Sequence, residues 1–364
     1  MEAKQRKNYL DNIRWITILI VVVYHVFYYY NNLGTTPMFE GLPETTGVTF
    51  SAVFQYAVYQ WFMVLLFIVS GICARYTLEK KTVKQFIKSK VDKLLIPSTL
   101  GVMAIHWIDG YCVSLQFMTG PEAEKIPGFV KYIIMFATGI GQLWFLQVLF
   151  FNCLLLLLIR KIDRNERFYE ACGKANVIVE LLLVVVMILS AQVLNLPIAV
   201  YRMCYYPMAF LLGYFVFSHE KVLNDLKKFW YVFMTIGIIF GVIYTVKFYG
   251  TFYGDAHVMK APVSVVHAYF TALGILGFAQ NFLNFSNAFT DKMNKYGWEV
   301  YMSHIMILLI FNTAIKPFAG VWPMQLIYLL ELVVSLAGSV IMWEIFSRIP
   351  VIRLLMYGVR GKKR

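Results

Sequence analysis

An arginine and a histidine eleven positions apart are the first candidates for chemistry. Arg14 opens an apolar stretch and His25 lies well inside it. At 100° per residue, eleven positions make three turns plus about 20°, so both lie on one helix face, roughly 16 Å apart along the axis. Ionisable groups are costly in a bilayer and usually face a bundle interior or a wet cavity. We therefore expect both to line one polar space, in which a neutral imidazole is a suitable general base for a hydroxyl.

Each of these residues also has a purely structural interpretation. His25 would fit a histidine that is hydrogen-bonded to a neighbouring helix. Arg14 would fit a basic anchor at the inner membrane boundary, and Asp11, one turn earlier, an N-terminal helix cap. On the functional hypothesis, Arg14 holds an anionic group at the cytosolic mouth of the polar space. The residues alone leave both interpretations open.

Two lysines three positions apart, Lys90 and Lys93, precede a Leu-Leu-Ile-Pro run. At that spacing they share a helix face just before an apolar span. Two cations there could bind the phosphates of a cytosolic cofactor as it enters the bundle. Topology and contact with lipid headgroups would explain the same lysines.

Several further polar or aromatic residues occupy apolar spans. Trp144 begins one span, where an interfacial aromatic residue is the simpler interpretation. Glu299 and His304 are five positions apart on another span and do not share a face closely, so they are not predicted to form a dyad. His304 is the deeper of the two, and helix–helix hydrogen bonding would also explain it. Weaker candidates are His106, Asp109 and Arg202.

The composition indicates the kind of scaffold that holds these residues. Of 364 residues, 60% are hydrophobic, 15% are charged, and the mean hydropathy is +0.64. A soluble protein of this size could not bury so much apolar surface, so we predict a multi-pass integral protein of the cell membrane, in contact with lipid. The net charge of +13 lies mainly in short loops, which favours positive-inside topology over a nucleic-acid partner. The five cysteines lack metal-ligand spacing, so no metal is expected.

The apolar spans predict an all-α bundle of about ten transmembrane helices with both termini in the cytosol. The segments proposed to face the cytosol hold 27 of the 33 Lys and Arg. No internal repeat is found, so residues 1–364 are predicted to form a single domain, with a cytosolic N-terminus (1–12), a bundle (13–347) and a basic cytosolic tail (348–364). The spans are predicted at about 13–30, 51–74, 94–113, 142–159, 177–194, 198–217, 229–249, 263–282, 298–315 and 324–346, with a short apolar piece at 129–138.

Five stretches, in order along the chain, resemble the acyltransferase-3 family of membrane acyltransferases. The first has an Asp, an Arg and a terminal His at the family's spacing. The second resembles the family's Phe-x-x-Ser-Gly, and the third has lysines where the family usually has Arg-x-x-Arg. The stretches are LDNIRWITILIVVVYH (10–25), FIVSGICARY (67–76), KVDKLLIP (90–97), LWFL (143–146) and VYMSH (300–304).

The resemblance implies an O-acyltransferase that takes an acyl group, acetyl or succinyl, from cytosolic acyl-CoA. It would deliver that group to a hydroxyl of an extracytoplasmic glycan or a related cell-envelope acceptor. Within the family, the chain looks most like the stand-alone glucan-succinylating type. Lysine keeps the charge of the family arginines but lacks their planar bidentate fork. By position the resemblance implies catalytic roles for His25, Arg14 and Asp11, donor binding by Lys90, Lys93, Arg75 and Trp144, and substrate binding by His304. Glu299, within the same span, is also predicted to bind the substrate.

A polytopic transporter or flippase of a glycan or lipid intermediate is the alternative, because buried charges and a central cavity would serve it as well. The lack of an inverted repeat counts against it. A scaffold subunit with a decayed site is a third interpretation, which the intact Arg14/His25 pair disfavours. Turnover of acyl-CoA separates the enzyme from both. The acceptor, the acyl group and the oligomeric state are left open by the sequence.

Overall fold

A computed structural model of the chain describes residues 7–30, 33, 49–193, 199–318 and 321–361. Within those ranges all regular secondary structure is helical, as predicted. The α-helices are α1 Asn8–Tyr28, α2 Phe50–Leu78, α3 Val83–Lys90, α4 Trp107–Ser114, α5 Pro121–Glu124, α6 Gly128–Thr138, α7 Trp144–Ile162, α8 Arg167–Cys172, α9 Val177–Gln192, α10 Tyr205–Phe215, α11 Glu220–Phe248, α12 Ala256–Lys260, α13 Pro262–Phe282, α14 Ala288–Ile315, α15 Met324–Phe346 and α16 Pro350–Tyr357. Two π-helical segments cover Val91–Leu95 and Pro97–His106, and 3₁₀ turns cover Gly141–Leu143, Ala199–Tyr201 and Lys316–Phe318.

Some predicted segments lie outside the described residues. These are the first six residues of the N-terminus, most of the outer loop at 31–47, the turn at 195–197 and the last three residues of the basic tail. The predictions for them remain predictions.

Eight helical stretches in the described part of the chain are long and apolar enough to cross a membrane, which supports the membrane prediction. They coincide with the first four and the last four predicted spans. The fifth and sixth are shorter helices, α9 with 16 residues and α10 with 11. α10 starts only at Tyr205, because Arg202 adopts a positive φ of 40° that interrupts helical geometry. The count of ten spans therefore remains a prediction, as does the orientation of the termini.

The chain divides into two compact units. The first comprises the described residues of Met1–Thr17, Val53–Phe86 and Phe151–Lys295, and the second those of Ile18–Ala52, Ile87–Phe150 and Tyr296–Arg364. A single functional domain remains a prediction.

In the first unit, glycines allow the helices to approach one another closely. A Cβ added to Gly71 in α2 would lie 2.1 Å from the carbonyl oxygen of Phe210 in α10, and one added to Gly213 in α10 would lie 2.2 Å from that of Ile68. Packing of this kind matters in a bilayer, where no hydrophobic effect drives helices together. The α2–α10 contact therefore depends on both glycines.

The second unit carries most of the candidate residues and uses the same device. A Cβ on Gly110 of α4 would lie 1.7 Å from the carbonyl oxygen of Met135 in α6. One on Gly101, in the second π-helical segment, would lie 2.1 Å from that of Leu355 in α16. The C-terminal helix is thus held directly against the π-helical segment that follows the lysine motif.

Candidate active site

Asp11, Arg14 and His25 all lie on α1, which runs without interruption from Asn8 to Tyr28. The predicted helical spacing of Arg14 and His25 is therefore present. Because the helix begins at Asn8, the interpretation of Asp11 as an N-terminal cap is wrong, and Asp11 lies in the first turn instead. There Arg14 Nη1 donates to Asp11 Oδ1 at 3.1 Å. The polar space that Arg14 and His25 were expected to share remains a prediction.

His25 meets the second candidate histidine, His304, inside the second unit. Nδ1 of His25 lies 3.1 Å from Nε2 of His304, and the two ring centroids are 5.1 Å apart. His304 lies on α14 with no exposed surface. No local pattern predicted this pair, because the two residues are 279 positions apart in the chain.

The hydrogen bonds of His304 define the proton positions of the pair. Its Nδ1 lies 3.1 Å from the carbonyl oxygen of Val300 and 2.9 Å from that of Tyr301. A carbonyl oxygen can only accept, so Nδ1 of His304 carries a hydrogen, and in the neutral ring Nε2 is an acceptor. Nδ1 of His25 must then donate to it, which leaves the lone pair on Nε2 of His25. A neutral imidazole with its Nε2 unprotonated has the form that a general base requires.

The LWFL motif helps to fix the helix that carries His304. Gln142, just before the motif, donates from Nε2 to the carbonyl oxygen of Met302 at 3.1 Å, and the hydroxyl of Tyr301 donates to the Gln142 carbonyl. Trp144 is the first residue of α7, and the ring of the next residue, Phe145, lies 6.1 Å from the ring of Tyr301. Trp144 thus belongs to the same unit as His25 and His304, at the start of an element that contacts α14.

The two lysines of the third motif lie at a change of helix type. Lys90 is the last residue of α3, and Lys93 lies in the π-helical segment Val91–Leu95. Pro97 has no N–H to offer the carbonyl of Lys93, and Ile96 N–H bonds to the Val91 carbonyl, five residues back. π-Helical turns often occur at functional sites. The sequence indicated a helix here but not its wider winding.

Arg75, the remaining basic residue assigned to the donor, lies in the first unit in an ion-pair cluster. Its Nη1 and Nη2 donate to the two carboxylate oxygens of Glu166 at 2.7 and 3.1 Å, and its guanidinium lies 3.8 Å from the ring centroid of Tyr169. These hydrogen bonds from Arg75 hold the pKa of Glu166 below its usual value. For Arg75 to bind a phosphate, Glu166 would first have to release it. Its donor-binding role remains a prediction.

The other candidates are found in three different settings. Glu299 is buried on α14, five residues before His304, so it is turned by about 140° from that residue. His106 and Asp109 form a buried pair, with Nδ1 and Oδ2 3.0 Å apart. Arg202, in the first unit, donates from Nη2 to the Met259 carbonyl and stacks on the ring of Tyr205. All three weaker candidates, His106, Asp109 and Arg202, thus have contacts within the protein that a structural role would explain.

Sequence reasoning missed one buried polar cluster, formed by Tyr30, Asn312 and Glu331. The hydroxyl of Tyr30, two residues beyond α1, hydrogen-bonds to Asn312 Oδ1 and Glu331 Oε1. Glu331 lies on α15 with no exposed surface. A carboxylate in the middle of an apolar span is costly and usually functional or structurally important, so Glu331 could have been singled out from the sequence.

Among the described residues, no group of three or more His, Cys, Asp or Glu side chains is placed to hold a metal ion. Metal-free chemistry remains a prediction.

A family model described as Acyltransferase domain matches residues 7–344, nearly the whole chain. The chain belongs to the acyltransferase-3 family. Together with the eight apolar helices found among the described residues, this makes it a multi-pass integral membrane enzyme of the O-acyltransferase class.

Relatives in the comparison carry the name Glucans biosynthesis protein C. Those of Escherichia coli O139:H28 (strain E24377A / ETEC) and Shigella boydii serotype 4 (strain Sb227) are each 23% identical to this chain, covering 99% of it and 96% of their own length. The protein of Escherichia coli O1:K1 / APEC is 24% identical with the same coverage. No solved structure matches the chain.

Proposed function

We propose that this enzyme transfers an acyl group, acetyl or succinyl, from cytosolic acyl-CoA to a hydroxyl of an extracytoplasmic glycan. The observation that carries the proposal is the hydrogen bond between His25 and His304, which leaves Nε2 of His25 as the proton acceptor. The relatives named for glucan biosynthesis support a glucan as the acceptor class.

In this mechanism His25 serves as base and then as acid. Nε2 of His25 takes the proton from the acceptor hydroxyl as its oxygen attacks the carbonyl carbon of the thioester. The C–O bond forms, the C–S bond breaks, and His25 returns the proton to the leaving thiolate, which gives free CoA and the acyl ester. No proton is gained or lost overall, so His25 is ready for the next cycle.

His304 acts in this scheme as a positioning residue. Both of its ring nitrogens already have partners, namely two backbone carbonyls and His25. Neither nitrogen is left for an acceptor hydroxyl, so we assign His304 to orienting His25 in place of direct substrate binding. When His25 becomes an imidazolium, its Nδ1–H bond to His304 becomes charge-assisted and therefore stronger.

Donor binding is proposed at the basic residues near the cytosolic surface. Lys90 and Lys93 would bind the phosphates of CoA. Arg14, near the start of α1, would bind an anionic group. The thioester would then enter the bundle toward His25, while the nucleotide stays in the cytosol. The acyl group would cross the membrane without CoA crossing. Trp144 and Glu299 remain proposed binding residues on the donor and acceptor sides.

Reconstituted vesicles test the proposal. Acetyl-CoA or succinyl-CoA is added on one side and a soluble glucan on the other, and both the released thiol and the acylated glucan are measured. We expect thiol release on the donor side and ester formation on the acceptor side. A transporter or flippase would consume no acyl-CoA, and that result with both donors would reject the proposal.

A further inference from the structure

The C-terminal segment of the second unit is fitted closely against the lysine motif. Gly358, directly after α16, has a φ of 68°, which favours glycine. A Cβ at this position would lie 2.5 Å from the carbonyl oxygen of Asp92 and 2.6 Å from Cα of Lys93. The segment therefore passes directly over the backbone between the two lysines, and a larger residue at 358 would push it away.

A buried arginine fixes the backbone that follows. Arg353 in α16 is 7% exposed and donates from Nη1 to the Ser347 carbonyl at 2.9 Å. Its Nε and Nη2 donate to the carbonyls of Val359 and Arg360 at 3.3 and 3.5 Å. The position of residue 360 is thus set by specific contacts.

This segment places Arg360 beside the lysine motif. Its Nε donates to Oδ1 of Asp92 at 2.7 Å, and in the sequence Asp92 lies between Lys90 and Lys93. The Arg360 side chain remains 54% exposed, and its two terminal nitrogens make no hydrogen bond to any described residue. One face of the guanidinium is therefore anchored while the other stays available to a ligand.

We propose that Arg360 binds the phosphates of the acyl-CoA donor together with Lys90 and Lys93. This inference rests on the proposed function. Lysines stand where the family usually has two arginines, and an ammonium group lacks the planar fork that matches a phosphate with two hydrogen bonds. The C-terminal segment brings a guanidinium to this stretch of the chain, where Asp92 orients it.

Arg360 could instead have a purely structural role, without binding the donor. Arg360 could simply neutralise Asp92 and hold the tail in place, in which case any cation of similar reach would suffice. The two roles differ in their response to Arg360→Lys, which keeps the charge but removes the fork, and in their dependence on the phosphates of the donor.

The test uses the full-length protein in lipid nanodiscs with two donors. These are acetyl-CoA and acetyl-pantetheine, which carries the same thioester without the nucleotide and its phosphates. We expect Arg360→Ala to raise the KM for acetyl-CoA about tenfold and Arg360→Lys to raise it about threefold, with the KM for acetyl-pantetheine unchanged. Adding Lys93→Arg to Arg360→Ala should recover most of the loss. Arg348→Ala removes an exposed arginine just after α15 and should leave both KM values at the wild-type level.

The outcomes separate the two proposals. If the wild type turns over both donors and Arg360→Lys keeps the wild-type KM for acetyl-CoA, the role of Arg360 as a phosphate ligand is rejected and the proposed function stands. Equal KM increases for both donors would also reject it, because the effect would not depend on the phosphates. If the wild type turns over neither acetyl nor succinyl donors, the proposed function itself fails. Thermal unfolding of each variant is measured to check that the fold is retained.

Discussion

Replacing His304 by alanine tests the tautomer argument. The substitution removes the acceptor that lies 3.1 Å from Nδ1 of His25. In the transition state His25 carries a positive charge, so the lost bond is a charge-assisted one, worth about 1.5–3 kcal/mol. At about 1.4 kcal/mol per factor of ten, kcat should fall roughly 10- to 150-fold. The KM for acyl-CoA should not change, because His304 contacts His25 and not the donor in this scheme.

His304→Gln is the matched variant. The side-chain oxygen of glutamine can take the place of Nε2 and accept from His25, so kcat should fall by less than about tenfold. The double variant His25→Ala with His304→Ala should be no slower than His25→Ala alone, because His304 acts only through His25. Initial rates of thiol release in nanodiscs measure all three. Wild-type kcat in His304→Ala, with the fold retained, would refute the assignment.

Three further predictions concern stability, each measured by thermal unfolding in detergent. Glu331→Leu removes a partner of the Tyr30 hydroxyl and should lower the unfolding free energy by about 1–3 kcal/mol. Glu331→Gln keeps an acceptor and should cost less. Equal losses in the two variants would contradict this contact. Gly71→Ala places a Cβ against the backbone of Phe210 and should lower the unfolding free energy by about 1–3 kcal/mol. In the control Gly128→Ala the added Cβ meets no atom within 4 Å, so stability should not change. Unchanged stability in Gly71→Ala would show that α2 and α10 do not pack as described. Because hydrogen bonds from Arg75 lower the pKa of Glu166, this ion pair adds stability above the usual carboxyl pKa of about 4.3, and that stability is lost as the pH falls through the lower value in the folded protein. The wild type should therefore melt above Glu166→Gln at neutral pH, and this difference should disappear as the pH falls through the lowered pKa of Glu166. A difference that persists in strong acid would contradict the sign.

The architecture followed from the sequence because long apolar runs leave few alternatives. A run of about 20 apolar residues must satisfy its backbone within a helix. Eight of the ten predicted spans correspond to such helices in the described residues. The helical length of the sixth predicted span was overestimated, because a hydropathy pattern does not register the positive φ of Arg202. That backbone conformation delays the start of α10.

The site was only partly predictable, for a different reason. The spacing of Arg14 and His25 is a property of one helix, and a local pattern is sufficient to find it. The partner of His25 lies on α14, and the guanidinium beside Asp92 comes from the C-terminal segment. Such contacts depend on how helices pack, and no local periodicity records them. The alternative interpretation of Asp11 as a cap fails because α1 extends beyond its apolar part and begins at Asn8, three residues before Asp11.

The most direct test of the central claim is the turnover number of His25→Ala. The full-length enzyme in nanodiscs would be supplied with acyl-CoA and a glucan, and thiol release would be followed. Removing a general base costs typically 10²- to 10⁴-fold, so we predict a loss in kcat of at least about a hundredfold. His257→Ala, which removes an exposed histidine of α12, should keep the wild-type rate. Wild-type turnover in a folded His25→Ala enzyme would contradict the account.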